Sequence, residues 1–154
     1  MTDNKIKIII ADDHAIVREG LKQIVAEEKD MLVCGEAENA SDLMELLNKE
    51  QWSIVVLDIN MPGKSGLEAL KDIKQIYPNL PVLILSMFSE DQYGLRAIKA
   101  GASGYLKKVS APTELVIAIR KIVSGRKYIN SSLAEKLAEH LGSGNNIFLH
   151  DKLS

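Results

Sequence analysis

The sequence predicts an α/β fold, a doubly wound sheet of five parallel strands with helices on both faces and one extra helix at the C-terminal end. Three observations predict it. Strand-like and helix-like segments alternate along the 154 residues, the pattern of a parallel sheet with crossover helices. The strand-like runs are rich in Ile, Val and Leu without polar alternation, as suits strands buried on both faces. Four of those runs end in a polar residue able to do chemistry: Asp12 and Asp13, then Asp58, then Ser86, then Lys108. In an open parallel sheet, the carboxyl edge of the strands is where ligands bind.

The elements follow in order. Strands are expected at Lys5–Ala11, Met31–Ala37, Ser53–Leu57, Pro81–Leu85 and Ser103–Lys107. Ala15–Glu28 carries Ile16, Val17, Leu21, Ile24 and Val25 at helical spacing. Ser41–Glu50 places Leu43, Leu46 and Leu47 on one face. Ser65 and Glu68 form a capping box that opens the third helix, which stops before Pro78. Ser89 and Gln92 open the fourth in the same way. Ser110 is expected to cap the fifth, with Pro112 in its first turn, where a missing N–H costs nothing. Leu115, Ile119, Ile122 and Val123 are its apolar stripe. A short amphipathic helix starts at Ser132 with Leu133, Leu137 and Leu141, and Gly142–Asn146 reads as a flexible linker.

Composition sets outer limits. One domain's worth of chain, 46% hydrophobic and 26% charged, is ordinary for a globular protein. A net charge of −2 with no dominant basic patch argues against a nucleic-acid grip in this segment. The single Cys34, expected to be buried in its strand, excludes an internal disulfide framework and fits a reducing cytoplasm. The N-terminus has no signal-peptide pattern, and no apolar run approaches membrane-spanning length.

The polar strand ends define an expected chemistry. Asp58 is the nucleophile, since a carboxylate can accept a phosphoryl group and become an acyl phosphate. Asp12 and Asp13 hold Mg²⁺, which favours oxygen ligands, and the backbone carbonyl of Asn60 is placed to complete the shell with Asp58. Lys108 pairs with one phosphoryl oxygen and the Ser86 hydroxyl donates to another. Taken singly, each residue has a plainer role. A strand-end Asp such as Asp13 usually caps a helix, a lone Ser fills a turn, and a lone Lys is a solvated charge. The ordered set from four strands reverses those odds. His14 adjoins the acids, but no second His stands at metal-ligand spacing, so it is expected not to be a ligand. Gly63-Lys64-Ser65 mimics the end of a P-loop, yet Asp58 stands where that motif needs Gly.

With these residues in hand, the chain resembles the receiver domain of bacterial two-component response regulators. The likeness rests on Asp12-Asp13, on Asp58-Ile-Asn-Met-Pro-Gly63, on Ser86 and on Gly101-Ala-Ser-Gly-Tyr-Leu-Lys-Lys108, and spans roughly residues 5 to 125. It implies the flavodoxin-like strand order 2-1-3-4-5. Residues 11–21, 85–88, 105–108 and 128–138 are similar to the NarL/FixJ subfamily, whose members join a receiver to a LuxR-type helix-turn-helix. The resemblance therefore implies a receiver over 1–127. Residues 128–154 would be a linker helix and tail leading to a DNA-binding domain that this chain lacks.

The resemblance also implies a switch. A sensor histidine kinase donates a phosphoryl group to Asp58, Ser86 shifts toward it, and Tyr105 turns inward behind it. The output is homodimerisation, through helices one and five or through the fourth helix and fifth strand, or release of the DNA-binding domain. Two departures stand out. Val109 follows Lys108 where many receivers have a proline, often in a cis bond. A cis non-proline bond costs about 2.5–4 kcal/mol, so the loop geometry there is open. Met87 is larger than the Ala of many receivers and is expected to restrict entry of water and small phosphodonors.

Two other function classes compete with a receiver. A Mg²⁺-dependent phosphatase with an aspartyl-phosphate intermediate would want a second acid two residues after Asp58, where Asn60 stands. A flavin-binding module would want a Ser/Thr/Gly-rich loop in place of Asp12-Asp13. Within the receiver class, a stand-alone receiver of a phosphorelay is the alternative to a transcription factor fragment.

Overall fold

The protein is described by a computed structural model covering residues 5–87 and 91–144. Strands β1 (Ile6–Ala11), β2 (Met31–Ala37), β3 (Ile54–Asp58), β4 (Val82–Ser86) and β5 (Gly104–Lys107) alternate with helices α1 (Ala15–Ala26), α2 (Ala40–Lys49), α3 (Gly66–Ile76), α4 (Asp91–Lys99) and α5 (Ala111–Val123); α6 (Ser131–Gly144) follows. The sheet has the order β2-β1-β3-β4-β5, and every neighbouring pair is parallel. Fold class and strand order are those expected. Among the described residues, no helix is long and apolar enough to cross a membrane.

Side chains alternate across a strand, so the apolar runs feed two cores. Ile9, Val55, Leu57 and Ile84 face α2, α3 and α4 through Leu43, Leu47, Leu70, Ile73 and Ala97. Ile8, Ile10, Ile54, Val56 and Leu85 face α1 and α5 through Leu21, Val25, Leu115 and Ile119. With both faces of β1, β3 and β4 buried, the sheet is a rigid plate, and its carboxyl edge is a fixed platform for polar residues.

Local chemistry sets the helix starts. The Asn39 side chain accepts from the Asp42 N–H at 2.8 Å and opens α2 one residue earlier than expected. Ser65 and Glu68 make both bonds of the expected capping box, and α3 stops at Ile76 ahead of Pro78. Ser89, the expected cap of α4, lies outside the described residues.

Four expectations are corrected. Cys34 is exposed rather than buried. It lies on edge strand β2, where Ile8 pairs with Val33 and Ile9 with Gly35, so Cys34 is the extra residue of a bulge. Leu32, two residues earlier, is also exposed, and β2 is not a strand buried on both faces. Ser110 is no side-chain cap. A 3-10 turn at Lys108–Ser110 runs straight into α5 and puts Ser110 in the helical region, φ −88 and ψ −6. Pro112 does sit in the first turn. The Lys108–Val109 bond is trans, since the described residues contain no cis peptide.

The third and fourth corrections concern α6. Its cap is Asn130, whose Oδ1 accepts from the Leu133 N–H at 2.7 Å, rather than Ser132. The helix also continues through Gly142–Gly144, the first three residues of the expected linker; Asn145 and Asn146 lie outside the described residues. Residues 127–130 tie it down: Tyr128 bridges to Gly104, its carbonyl accepts from the Tyr105 N–H, and its own N–H donates to Ser103. Leu133 is 1% exposed. It sits in the notch left by Gly94, where a Cβ would come within 2.9 Å of the leucine and 3.2 Å of the Tyr105 ring. The glycine inside α4 is therefore a packing residue for α6.

Candidate functional site

The site starts where β1 ends. The Asp12 N–H donates to the Ala37 carbonyl of β2 at 2.9 Å, which carries the strand pairing one residue past β1. The Asp12 side chain is 1% exposed, and its Oδ1 accepts from the His14 N–H at 2.9 Å, closing the turn into α1. The α1 cap residue is His14, with no side-chain cap bond, so Asp13 does not serve as a helix cap. That leaves the Asp13 carboxylate for the pocket.

Asp58 is the last residue of β3 and is 1% exposed. The Asn60 N–H donates to its Oδ1 at 3.1 Å. The loop behind it is pinned by Ile59 N–H to the Leu85 carbonyl at 3.0 Å and Gly66 N–H to the Ile59 carbonyl at 2.9 Å. Ser86 ends β4 fully buried, one residue beyond Leu85, the register partner of Asp58. Its own register partner is Lys107, so Lys108 emerges beside it. Lys108 is 11% exposed at the side chain and reaches back over the sheet edge. Its Nζ lies 2.8 Å from Asp12 Oδ2 and 3.3 Å from Asp58 Oδ1. Met87 is 67% exposed directly after Ser86, and Tyr105 is 4% exposed.

Asp12, Asp13, His14 and Asp58 each offer a ligand atom within 4.8 Å of the others. The Nδ1 of His14, an exposed residue, lies 3.3 Å from a carboxylate oxygen of both Asp12 and Asp13. Three buried oxygens, Asp12 Oδ2, Asp13 Oδ1 and Asp58 Oδ2, lack a hydrogen bond. Lys108 therefore meets Asp12 Oδ2 by charge at close range, without hydrogen-bond direction. Buried acceptors left in this way cost free energy unless something satisfies them. One orphan oxygen on each of three acids is a hard donor set, and it fits a small divalent cation of the Mg²⁺ type.

The charges leave their mark on ionisation. Burial, reinforced by the Asp12 charge, holds the Asp58 carboxyl above the ordinary aspartate range; the Asn60 N–H and Lys108 oppose this without cancelling it. Burial pulls the Lys108 ammonium down, but the Asp12 carboxylate at close range and the charge of Asp58 outweigh that, and the net direction is up. A carboxyl whose folded pKa is raised stabilises the fold in acid and loses that contribution as pH rises through the folded value. Without divalent cation, ionised Asp58 thus works against the fold near neutrality. Asp58→Asn is expected to unfold at a higher temperature than the native chain near pH 7 in chelator, the gap closing toward about pH 4. Thermal melts at several pH values check this, and equal midpoints throughout would refute it.

Two residues that shape the site escaped the sequence reading. Gly66 lies against the loop after Asp58: a Cβ there would sit 2.4 Å from the Ile59 Cα and 2.8 Å from the Asp58 carbonyl oxygen. The signal was a glycine just inside a well-capped helix, where no turn needs one. Arg18 donates from Nη1 to the Asp12 carbonyl at 2.6 Å. Its only sequence signal was a cation amid the apolar spacing of α1.

Comparison with known proteins agrees with this geometry. A family model described as the response regulator receiver domain matches residues 8–120. The transcriptional regulatory protein DegU of Brevibacillus brevis is 37% identical over 137 residues, covering 89% of this chain and 58% of that protein. The chain spans roughly three fifths of the curated relatives it matches, 63% and 62% of the next two. A LuxR-family response regulator from Aurantimonas sp. SI85-9A1 superimposes with TM-score 0.81 at 37% identity, covering 88% of this chain and 97% of that one. A structure of two RcsB dimers bound to two parallel DNAs matches with TM-score 0.79 at 29% identity, covering 88% of this chain and 69% of that one.

Proposed function

The chain belongs to the response regulator receiver family, and from that premise we propose that it accepts a phosphoryl group on Asp58 and serves as the phosphorylation-dependent switch of a DNA-binding transcriptional regulator. As a receiver domain it is not an enzyme of the phosphatase type. The observation that carries the reading is the pocket itself: Asp58, 1% exposed, has one oxygen ordered by the Asn60 N–H and the other without a hydrogen bond, beside two further acids and one ammonium. A buried carboxylate among like charges is a poor structural choice and a good acceptor once those charges are balanced.

In this reading an Asp58 carboxylate oxygen attacks the phosphorus of a phosphohistidine. The P–N bond breaks, its electron pair returns to the imidazole nitrogen, and an acyl phosphate forms on Asp58. Asp12, Asp13, Asp58 and the Asn60 carbonyl would hold Mg²⁺, which when bound supplies positive charge against the phosphoryl oxygens. Lys108 moves its ion pair from Asp12 and Asp58 to a phosphoryl oxygen, and Ser86 donates its hydroxyl to another. Tyr105 is already inside, in the same core as Leu133 of α6, and both border the notch at Gly94. Its switch motion is then a repacking between α4 and α6 rather than a first burial.

A sensor histidine kinase is the donor, and DNA is reached by a homodimer through a DNA-binding domain rather than through the receiver itself. The family assignment and the dimers of DNA-bound RcsB support that much. Intact mass after incubation with Mg²⁺ and a small acyl phosphate tests the central step: no mass gain, from that donor or from phosphorylated histidine kinases, would overturn it. Met87, exposed beside Ser86, restricts access to the pocket. Met87→Ala is expected to shorten the life of the phosphorylated form several-fold, timed by mass spectrometry; an unchanged lifetime would sink that role.

A further inference from the structure

Among the described residues Arg18 makes no ion pair with the acid pocket's carboxylates, yet it holds the main chain that carries two of them. Its side chain is 13% exposed, so the guanidinium is fixed rather than solvated. Nη1 donates to the Asp12 carbonyl at 2.6 Å, and Nε donates to Glu36 Oε1 at 2.9 Å. Glu36 lies on β2, and its other oxygen takes Lys22 at 2.8 Å. The Lys22 ammonium, and after it the Arg18 guanidinium, hold the Glu36 carboxyl below its ordinary range.

The Asp12 carbonyl belongs to the planar peptide that joins Asp12 to Asp13. The Asp12 N–H is already bonded to Ala37 on β2. With the carbonyl held from α1 as well, both sides of Asp12 are tied, and the direction from its Cα to that of Asp13 is set. Both orphan oxygens of this pair, Asp12 Oδ2 and Asp13 Oδ1, depend on that direction. A planar fork with fixed donor spacing suits the task; a lysine ammonium on a flexible stem does not.

We propose that Arg18, braced by Glu36, is a positioning residue that aims Asp12 and Asp13 for divalent-cation binding. This rests on the reading of the acid pocket as a Mg²⁺ site. Electrostatics and positioning predict opposite signs, which makes the idea decidable. Removing a cation near an acidic site should tighten cation binding by charge alone. Losing a group that orients the ligands should weaken it, typically about 10–100-fold.

The test is calorimetric titration of Mg²⁺ into the unphosphorylated chain and its variants, with thermal melts alongside. Arg18→Ala and Arg18→Lys are expected to weaken Mg²⁺ binding by about 10-fold or more, with Glu36→Gln weaker than native but less affected. Lys22→Ala, which leaves the Arg18–Glu36 bond, should stay within about twofold by the same reasoning. Arg18→Lys serves where Arg18→Ala fails to fold. Unchanged or tighter binding in the Arg18 variants would overturn the proposal, as would full rescue by lysine or an equal loss in Lys22→Ala. A native chain that binds no Mg²⁺ would overturn this proposal and the cation reading together. A native chain that binds Mg²⁺ but takes no phosphoryl group would overturn only the receiver chemistry, and the variant series would still decide the role of Arg18.

Discussion

The native chain is expected to gain one phosphoryl group per molecule from a small acyl phosphate in the presence of Mg²⁺, and Asp58→Ala to gain none. The effect should be all or nothing, for three reasons. Asp58 closes β3 at the buried centre of the sheet edge, and one of its oxygens has no hydrogen bond. Asp12 is equally buried, but its Oδ1 is tied to the His14 N–H and its Oδ2 lies against Lys108. Asp13 is partly exposed and lies off the strand. Only Asp58 therefore combines a free acceptor oxygen with a rigid seat between Lys108 and the Ser86 strand end. Intact mass spectrometry with and without chelator reads the result. A gain that survives in Asp58→Ala would move the acceptor elsewhere and refute the assignment. Because Asp58→Asn is expected to be the more stable protein without metal, a lost mass gain in that variant could not be blamed on misfolding.

The second large effect is expected from Lys108→Ala. In the resting chain this ammonium is the one cation seen against both Asp12 and Asp58 among the described residues. Its removal leaves close carboxylates facing one another in a buried site. Breaking a buried ion pair from one side costs about 3–5 kcal/mol, and the variant should melt well below the native chain near neutral pH. The sign follows from the raised ionisation of Lys108. A base whose folded pKa is raised contributes fully below its unfolded value, near 10.5, and loses that contribution only above it. At neutral pH the whole contribution is at stake. The deficit should shrink with added Mg²⁺ and toward about pH 4, where the carboxylates protonate. In Mg²⁺ the variant should still accept phosphoryl groups more slowly, by roughly 10²-fold, the usual cost of losing one fixed donor at a developing charge. Rates within twofold of native would show that Lys108 only balances the resting acids. Asp58→Asn and Lys108→Ala thus move stability in opposite directions from one electrostatic cause.

Much of this is legible in the sequence. Apolar runs ending in Asp12, Asp58, Ser86 and Lys108 located the sheet edge, because a strand buried on both faces has to be apolar until it emerges. The capping box at Ser65 and Glu68 was equally readable, since both of its bonds lie within four residues. Cys34 is exposed, against expectation, because a bulged edge strand can carry the same apolar composition as a central one, and Cys34 is the bulged residue of the outermost strand among the described residues. Ser110 was misjudged because a 3-10 turn leaves no extended residue to act as cap. Gly66 and Arg18 carry only a faint signal, for another reason. One matters through a loop that folds back over it, the other through a carbonyl six positions away and a glutamate on another strand.

The sequence by itself determined the chemistry available: three acids, a hydroxyl and an ammonium at the ends of strands whose alternation admits a parallel sheet. Strand-end position follows from local hydrophobicity, and so does the order in which the groups appear. Only the tertiary structure decided which oxygens of those acids are tied and which are left for a ligand. It also seated Lys108 between Asp12 and Asp58 and placed α6 over Tyr105 through the notch at Gly94. Such choices depend on distances between residues far apart in the chain, set by strand register and helix packing, and no local pattern of side chains encodes them.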